Sequence, residues 1–166
     1  MASHAEGYGT LASKQYSHAE GYCTVASGSN SHAEGIVTTA DGQGSHAEGY
    51  NTIASRSNSH AEGRETEASG EQSHASGYLT KAKGKNSFTA GYKSEADESA
   101  ENAFVIGQYS KAEGAAGSNS FVWQGANGKA VYKSNRKGSF NINPQDGLSG
   151  FFIGTNNFIQ CVLSAV

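Results

Sequence analysis

The stretch SHAEGYGTLASKQYSHAEG, residues 3–21, holds the same pentapeptide twice at a start-to-start interval of 14 residues. The interval persists: Ser3, Ser17, Ser31, Ser45, Ser59, Ser73 and Ser87 each open a unit, with no insertion or deletion between them. Histidine follows the serine in the first six units, as His4, His18, His32, His46, His60 and His74, and these are all the histidines of the chain. Self-similarity at a fixed short period marks a stacked repeat architecture, in which each unit contacts only its neighbours.

Two structures have a compatible period. Fourteen is two heptads, and Ala5 with Ala12, or Ala19 with Ala26, would lie on one coiled-coil seam. The companion apolar column is missing, however, and Gly7, Gly21, Gly35, Gly49, Gly63, Gly77 and Gly91 recur where each would cost a helix interior about 1 kcal/mol. The alternative is a β-solenoid in which each unit is one coil of two short strands and two tight turns. Strand alternation then puts Ser3, Ala5 and Gly7 on one face and His4 and Glu6 on the other, and an even period stacks like on like. Gly28, Gly42, Gly70 and Gly84 with Asn30, Asn58 and Asn86 supply turn chemistry at the second corner.

A roll filled with alanine is thin. Methyl-sized burial at about 0.8 kcal/mol each does not offset the conformational entropy of a fully ordered coil. The missing burial is expected from other copies of the chain, and a threefold bundle lets each roll cover one face. The contact candidates are Tyr8, Tyr22, Ile36, Tyr50, Tyr78 and Tyr92, the Leu11, Val25 and Ile53 positions, and Phe104, Phe121 and Trp123.

Units of the form Ser-x-Ala-x-Gly followed by x-x-Thr-x-Ala-x-Gly resemble the head repeats of trimeric autotransporter adhesins of the YadA type, and related SHAEG repeats of phage tail fibres and appendage proteins. The resemblance covers residues 3 to about 117 and implies a left-handed parallel β-roll that trimerises into a rigid stalk or head. Departures begin after Ser87, where Phe88 stands for His and Ala90 for Glu; ENAFVIG (101–107) and NSFVWQG (119–125) resemble bulkier variants of the repeat and read as the last, better-packed coils. The chain divides accordingly into a repeat roll, 1–117, and a β-rich cap and trimer lock, 118–166. In the latter, Asn127-Gly128 between two alternating runs signals a type I′ hairpin, and SFNINP and GLSGFFIG read as strands separated by a turn at Asp146-Gly147.

Composition narrows the function. The aromatic residues are uneven, nine in the first 117 positions and seven in the last 49, which supports the boundary near Gly117. Residues 1–80 hold three basic and nine acidic side chains and residues 81–166 nine and six, so neither half is a basic nucleic-acid surface. The Lys81, Lys83, Lys85 and Lys133, Arg136, Lys137 clusters read as solvated edges. Cys23 and Cys161 have neither zinc-site spacing nor a disulfide framework and are expected as free thiols in small apolar slots. These 166 residues carry neither the charged-then-apolar run of a secretory leader nor an unbroken apolar span, so no membrane insertion is expected.

Three readings of the histidine column compete. It stacks beside Glu6, Glu20, Glu34, Glu48 and Glu62, and the simplest role for each imidazole is a neutral rung hydrogen-bonded at a subunit interface. A pH-sensitive interface is the second, because stacked imidazoles repel once protonated. Opportunistic metal binding by His-x-Glu pairs is the third, with no coil marked as distinct. Catalysis is not expected, since the same groups recur six times and Ser and His alternate faces. No cofactor motif is present. A threonine ladder, Thr10, Thr24, Thr38, Thr52, Thr66 and Thr80, raises ice binding as a minor reading. The expected function is a non-enzymatic structural and receptor-binding segment of a trimeric fibre, on a virion or cell surface, whose partners are its own copies and a host glycan or protein; the alternative is the head of a surface adhesin binding matrix or glycan.

Overall fold

In a computed structural model, residues 2–125, 132–134, 137–143, 151–153 and 159–161 are described. The chain winds into a parallel β-solenoid of two sheets, with hardly any helix. One sheet is built from strands of five residues, beginning His4–Tyr8, His18–Tyr22 and His32–Ile36 and continuing to Phe104–Gln108, followed by the four-residue Phe121–Gln124 and Phe140–Asn143. The other is built from shorter strands, from Leu11–Ala12 and Val25–Ala26 to Ser110–Ala112 and Tyr132–Lys133. Each strand pairs in parallel with its equivalent one coil on, residue for residue: His18 opposite His32, Ala19 opposite Ala33, Glu20 opposite Glu34.

The register explains the pentapeptide. The interior of a coil receives Ser17, Ala19, Thr24 and Ala26, all essentially inaccessible to solvent. Only residues this small fit between sheets joined by corners of two and five residues. The serine also closes a corner: Ser31 Oγ donates to the Gly28 carbonyl at 2.7 Å, and Ser45, Ser73 and Ser87 repeat the bond at the same distance.

Both corners need a residue in the left-handed region. At the second corner it falls on Asn30, Asn58 and Asn86, with φ of 59°, 56° and 55°, as the turn chemistry predicts. Gly42, by contrast, has an ordinary φ and serves for close approach, since a Cβ there would sit 1.9 Å from the Arg56 carbonyl oxygen. The first corner carries no consistent residue type: Cys23, Val37, Glu65 and Leu79 all take positive φ. Unfavourable backbone of this kind persists where the surroundings over-determine it. Here the N–H of Cys23 donates to the Tyr8 carbonyl and that of Val37 to the Tyr22 carbonyl, both at 2.8 Å, pinning each corner to the coil before it.

Later coils lengthen and fill. Phe88 pairs with Phe104, Phe104 with Phe121 and Phe121 with Phe140, intervals of 16, 17 and 19 residues. In the first two of these coils the extra residues sit at the second corner, where a short 3-10 turn, Ala115–Gly117, is accommodated and Asn86, Asn102 and Asn119 form a side-chain ladder at 2.9 Å, whereas in the third they fall at the first corner, between Gln124 and Tyr132. Val105 and Val122 take the place of alanine in the core and are fully buried, but NSFVWQG is not the last coil, because Phe140–Asn143 continues the sheet beyond it.

The tail departs from expectation. The strands flanking Asn127-Gly128 do not form a hairpin: Phe121–Gln124 lies parallel to Phe104–Gln108 in one sheet, and Tyr132–Lys133 lies parallel to Ser110–Ala112 in the other. A ready-made parallel template on each sheet outcompetes a local turn preference. Asn127 and Gly128 themselves, and the Asp146-Gly147 turn, lie outside the described residues. Both sheets thus run past Gly117, and Phe151–Ile153 pairs antiparallel with Ile159–Cys161 beyond them. Among the described residues no helix is long and apolar enough to cross a membrane.

Stacking at this spacing forbids a side chain at the strand glycines. Gly35 has φ +106°, and a Cβ would lie 2.2 Å from the Gly49 carbonyl oxygen. Gly35→Ala should lower stability by at least about 2 kcal/mol, from positive-φ strain together with backbone displacement, measured by denaturant unfolding followed by circular dichroism. An unchanged midpoint would contradict the stacking.

Candidate functional site: the outer face of the long-strand sheet

In the five-residue strands after His4–Tyr8, which is exposed throughout, the second position is buried, while the first, third and fifth remain accessible. The outer face of this sheet therefore carries three parallel columns, histidine, glutamate and tyrosine, with a shallow groove beside the glutamates along Gly7, Gly21, Gly35 and Gly49.

The histidines form a ring ladder. Ring centroids from His18 to His32 and from His32 to His46 are 4.8 Å apart with the ring planes nearly parallel, and His60 to His74 closes to 4.6 Å. The column does not end with histidine: Phe88, Phe104, Phe121 and Phe140 continue it with ring spacings between 4.6 and 5.4 Å. Next to it, Glu62 is followed in register by Ser76, Ala90, Ile106 and Trp123. The face passes from charged to apolar along its length. The contact candidates Phe104 and Phe121 thus lie in the histidine column and Trp123 in the glutamate column, while Tyr8, Tyr22, Ile36, Tyr50, Tyr78 and Tyr92 form the third. One face gathers these nine, whereas Leu11, Val25 and Ile53 lie on the other sheet.

Within a rung, His18 Nε2 lies 3.8 Å from Glu20 Oε2, and His32 and His46 lie 3.9 Å from Glu34 and Glu48, too long for hydrogen bonds. Only His4, at the open end, comes to 3.4 Å from its glutamate, Glu6, in a hydrogen bond. The Nε2 atoms of His18, His32, His46, His60 and His74 are shielded from solvent and have no hydrogen-bond partner. The pattern breaks at Ser76, which leaves His74 without a glutamate in its own coil; its Nε2 lies instead 3.5 Å from Glu62 Oε1. Three groups bring three ligand atoms within 4.8 Å of one another: His60, Glu62, His74; Glu20, His32, Glu34; and Glu34, His46, Glu48. The one-residue change E-to-S in HASG, residues 74–77, is the sequence signal that distinguishes the first group, and it is overlooked when the coils are read as equivalent.

At His32 and His60 the electrostatics favour the neutral ring. Burial, then repulsion from His46 and His18, lowers the His32 pKa against the attraction of Glu34 and Glu20. Burial, then His74 and His46, lowers that of His60 against Glu62. For Glu62 burial acts upward and is the largest effect, but contacts from Glu48 and His74 with the charges of His74 and His60 carry its pKa below the ordinary value.

The tyrosine column is also stacked. Tyr8 and Tyr22 lie 5.3 Å apart, and Arg64 takes the tyrosine place in its coil with its guanidinium 5.4 Å from both the Tyr50 and Tyr78 rings. Tyr22 and Tyr50 remain about half exposed, at 50% and 47%. Leu11 and Ile53 are exposed on the other sheet.

Other expected features find different roles. Thr24, Thr38, Thr52, Thr66 and Thr80 are buried inside the roll, which removes the ice-binding reading, because an ice surface must face water. Their inward position follows from the same alternation that buries Ala26. Cys23 is a free thiol, but half-buried at a first corner rather than enclosed in an apolar slot. Lys81, Lys83 and Lys85 pair with Glu67, Glu95 and Glu71 across coils. Arg136 lies outside the described residues. Ser17 points into the core while His18 faces out, so the two do not meet as nucleophile and base.

No known family's sequence model matches the chain, and no curated protein matches it.

Because the folded state lowers the proton affinity of His32 and His60, the unfolded chain binds more protons as pH falls below the ordinary histidine value. Their stabilising contribution is complete above that value, about 6.5, and is lost as pH drops through the folded pKa values. The melting temperature followed by circular dichroism should fall between about pH 7 and 5, and His32→Gln should flatten the slope. A level profile in the unsubstituted protein would remove the effect.

Proposed function

We propose that this chain is a structural and surface-binding segment of a trimeric fibre, of the phage tail-fibre or tail-spike kind, without enzymatic activity. Three left-handed rolls share their long-strand faces, and residues 118–166 help lock the bundle. The observation that carries this reading is the outer face itself. It is continuous over the whole long-strand sheet and ends in Phe104, Phe121, Trp123 and Phe140, with Phe104 and Phe140 41% and 39% exposed in a single chain. Beneath it the repeat core is alanine, serine and threonine. A body with so little apolar interior and so much ordered aromatic surface gains most by covering that surface with copies of itself, and exact repetition makes threefold pairing continuous along the axis.

A second reading, a surface adhesin head, is favoured by the half-exposed tyrosine column with Arg64 between Tyr50 and Tyr78, a flat stacking surface suited to a glycan. In both readings the fibre is displayed on a virion or cell exterior.

Sedimentation equilibrium should give three times the 17.2 kDa chain mass. Phe121→Glu combined with Trp123→Glu should shift the protein towards single chains and lower the melting temperature. A heat-resistant monomer in the unsubstituted protein would overturn the proposal. A glycan array on the assembled protein separates the two readings, binding that is lost in Tyr50→Ala favouring the adhesin.

A further inference from the structure

The geometry points to a binding site for one borderline divalent cation, of the Zn2+, Ni2+ or Cu2+ class, formed by His60, Glu62 and His74 within a single chain.

Two imidazole nitrogens and one carboxylate make a donor set that suits these ions, whereas Mg2+ and Ca2+ favour oxygen ligands alone. The three ligand atoms lie within 4.8 Å of one another, so a point between them is at most about 2.8 Å from each. Each ligand atom then moves by about 0.7 Å, and the two imidazoles turn out of their 14° stack to aim both lone pairs at the ion, to reach a metal–nitrogen bond of about 2.0–2.1 Å. The ladder is tightest here, at 4.6 Å between rings.

The site differs from the other rungs by composition. The two groups lower in the ladder, Glu20, His32, Glu34 and Glu34, His46, Glu48, offer one imidazole and two carboxylates each. With Ser76 in place of a glutamate, Glu62 serves His60 and His74 together, giving two nitrogens to one carboxylate. The Nε2 atoms of both histidines are shielded from solvent and make no hydrogen bond, that of His74 lying 3.5 Å from Glu62 Oε1. Leaving such acceptors unsatisfied is unfavourable, and one cation would satisfy both. The cation of the same strand does not take this place: Arg64 is held by Glu65 at 3.3 Å and stacked between Tyr50 and Tyr78.

Because every ligand comes from one chain, the site does not depend on the trimeric reading. Isothermal titration of the full chain with zinc chloride and with nickel chloride, beside magnesium chloride, tests it. One ion per chain is expected for zinc and nickel and none for magnesium. His60→Ala, His74→Ala and the near-isosteric Glu62→Gln should each weaken zinc binding roughly tenfold or more, while His18→Ala leaves it unchanged. Circular dichroism and sedimentation of each variant confirm that fold and assembly are retained, and Glu62→Gln carries the test should an alanine variant unfold. Absence of zinc and nickel binding, several equivalent ions per chain, an equal loss in His18→Ala, or one ion per three chains would overturn the site.

Discussion

The structure depends on the backbone ladder that holds each coil against the next with no offset. A residue's neighbour above and below is its counterpart one repeat away, as His18 lies between His4 and His32. Every position must therefore tolerate its own kind at strand spacing, about 4.8 Å. Glycine at Gly35, alanine at Ala33 and serine at Ser31 meet that condition inside or at the edge of the backbone, where nothing larger fits. Histidine, tyrosine and phenylalanine meet it outside, because flat rings stack on themselves.

Stacking like on like has an electrostatic cost that the chain handles differently on its two sheets. On the short-strand sheet, unlike charges alternate between coils, Lys81 above Glu67 and Lys111 above Glu95. Exposed pairs of this kind contribute little individually, but they avoid repulsion within a column. On the long-strand sheet the glutamates and histidines do stack in kind, and the relief is lateral, each imidazole beside a carboxylate. Burial keeps the rings His32 and His60 on the neutral side. In the glutamate column charge ends at Glu62, and Phe88, Ile106 and Trp123 carry the face onward.

The gradient also separates uniform coils from singular ones. The first six coils are nearly interchangeable, which suits a spacer, whereas Ser76, Arg64 and the lengthened coils after Phe88 are singular. Binding chemistry needs such breaks in periodicity, since a column of identical groups offers no preferred point. A single serine where five glutamates precede it is enough to make one rung unlike the rest.

The sequence by itself determined the coil. A 14-residue period excludes helix through its glycines, its even length sets which residues face in, and the paired alanines set how thin the body is; each is a local consequence of backbone geometry. The later variant coils were legible too, because Phe88, Phe104 and Phe121 keep the strand pattern while the corner grows. Only the tertiary structure decided the rest. The fate of the strands around Asn127-Gly128 depended on which edges were already available for pairing, and a waiting parallel sheet prevailed over a turn signal. The threonine column looked like a surface until the second sheet closed over it. The first corner was invisible, since Cys23, Val37, Glu65 and Leu79 share no chemistry and are held at positive φ by hydrogen bonds from the preceding coil. The sharing of Glu62 between His60 and His74 arises from atoms 14 residues apart being brought side by side, a distance that the linear chain does not contain.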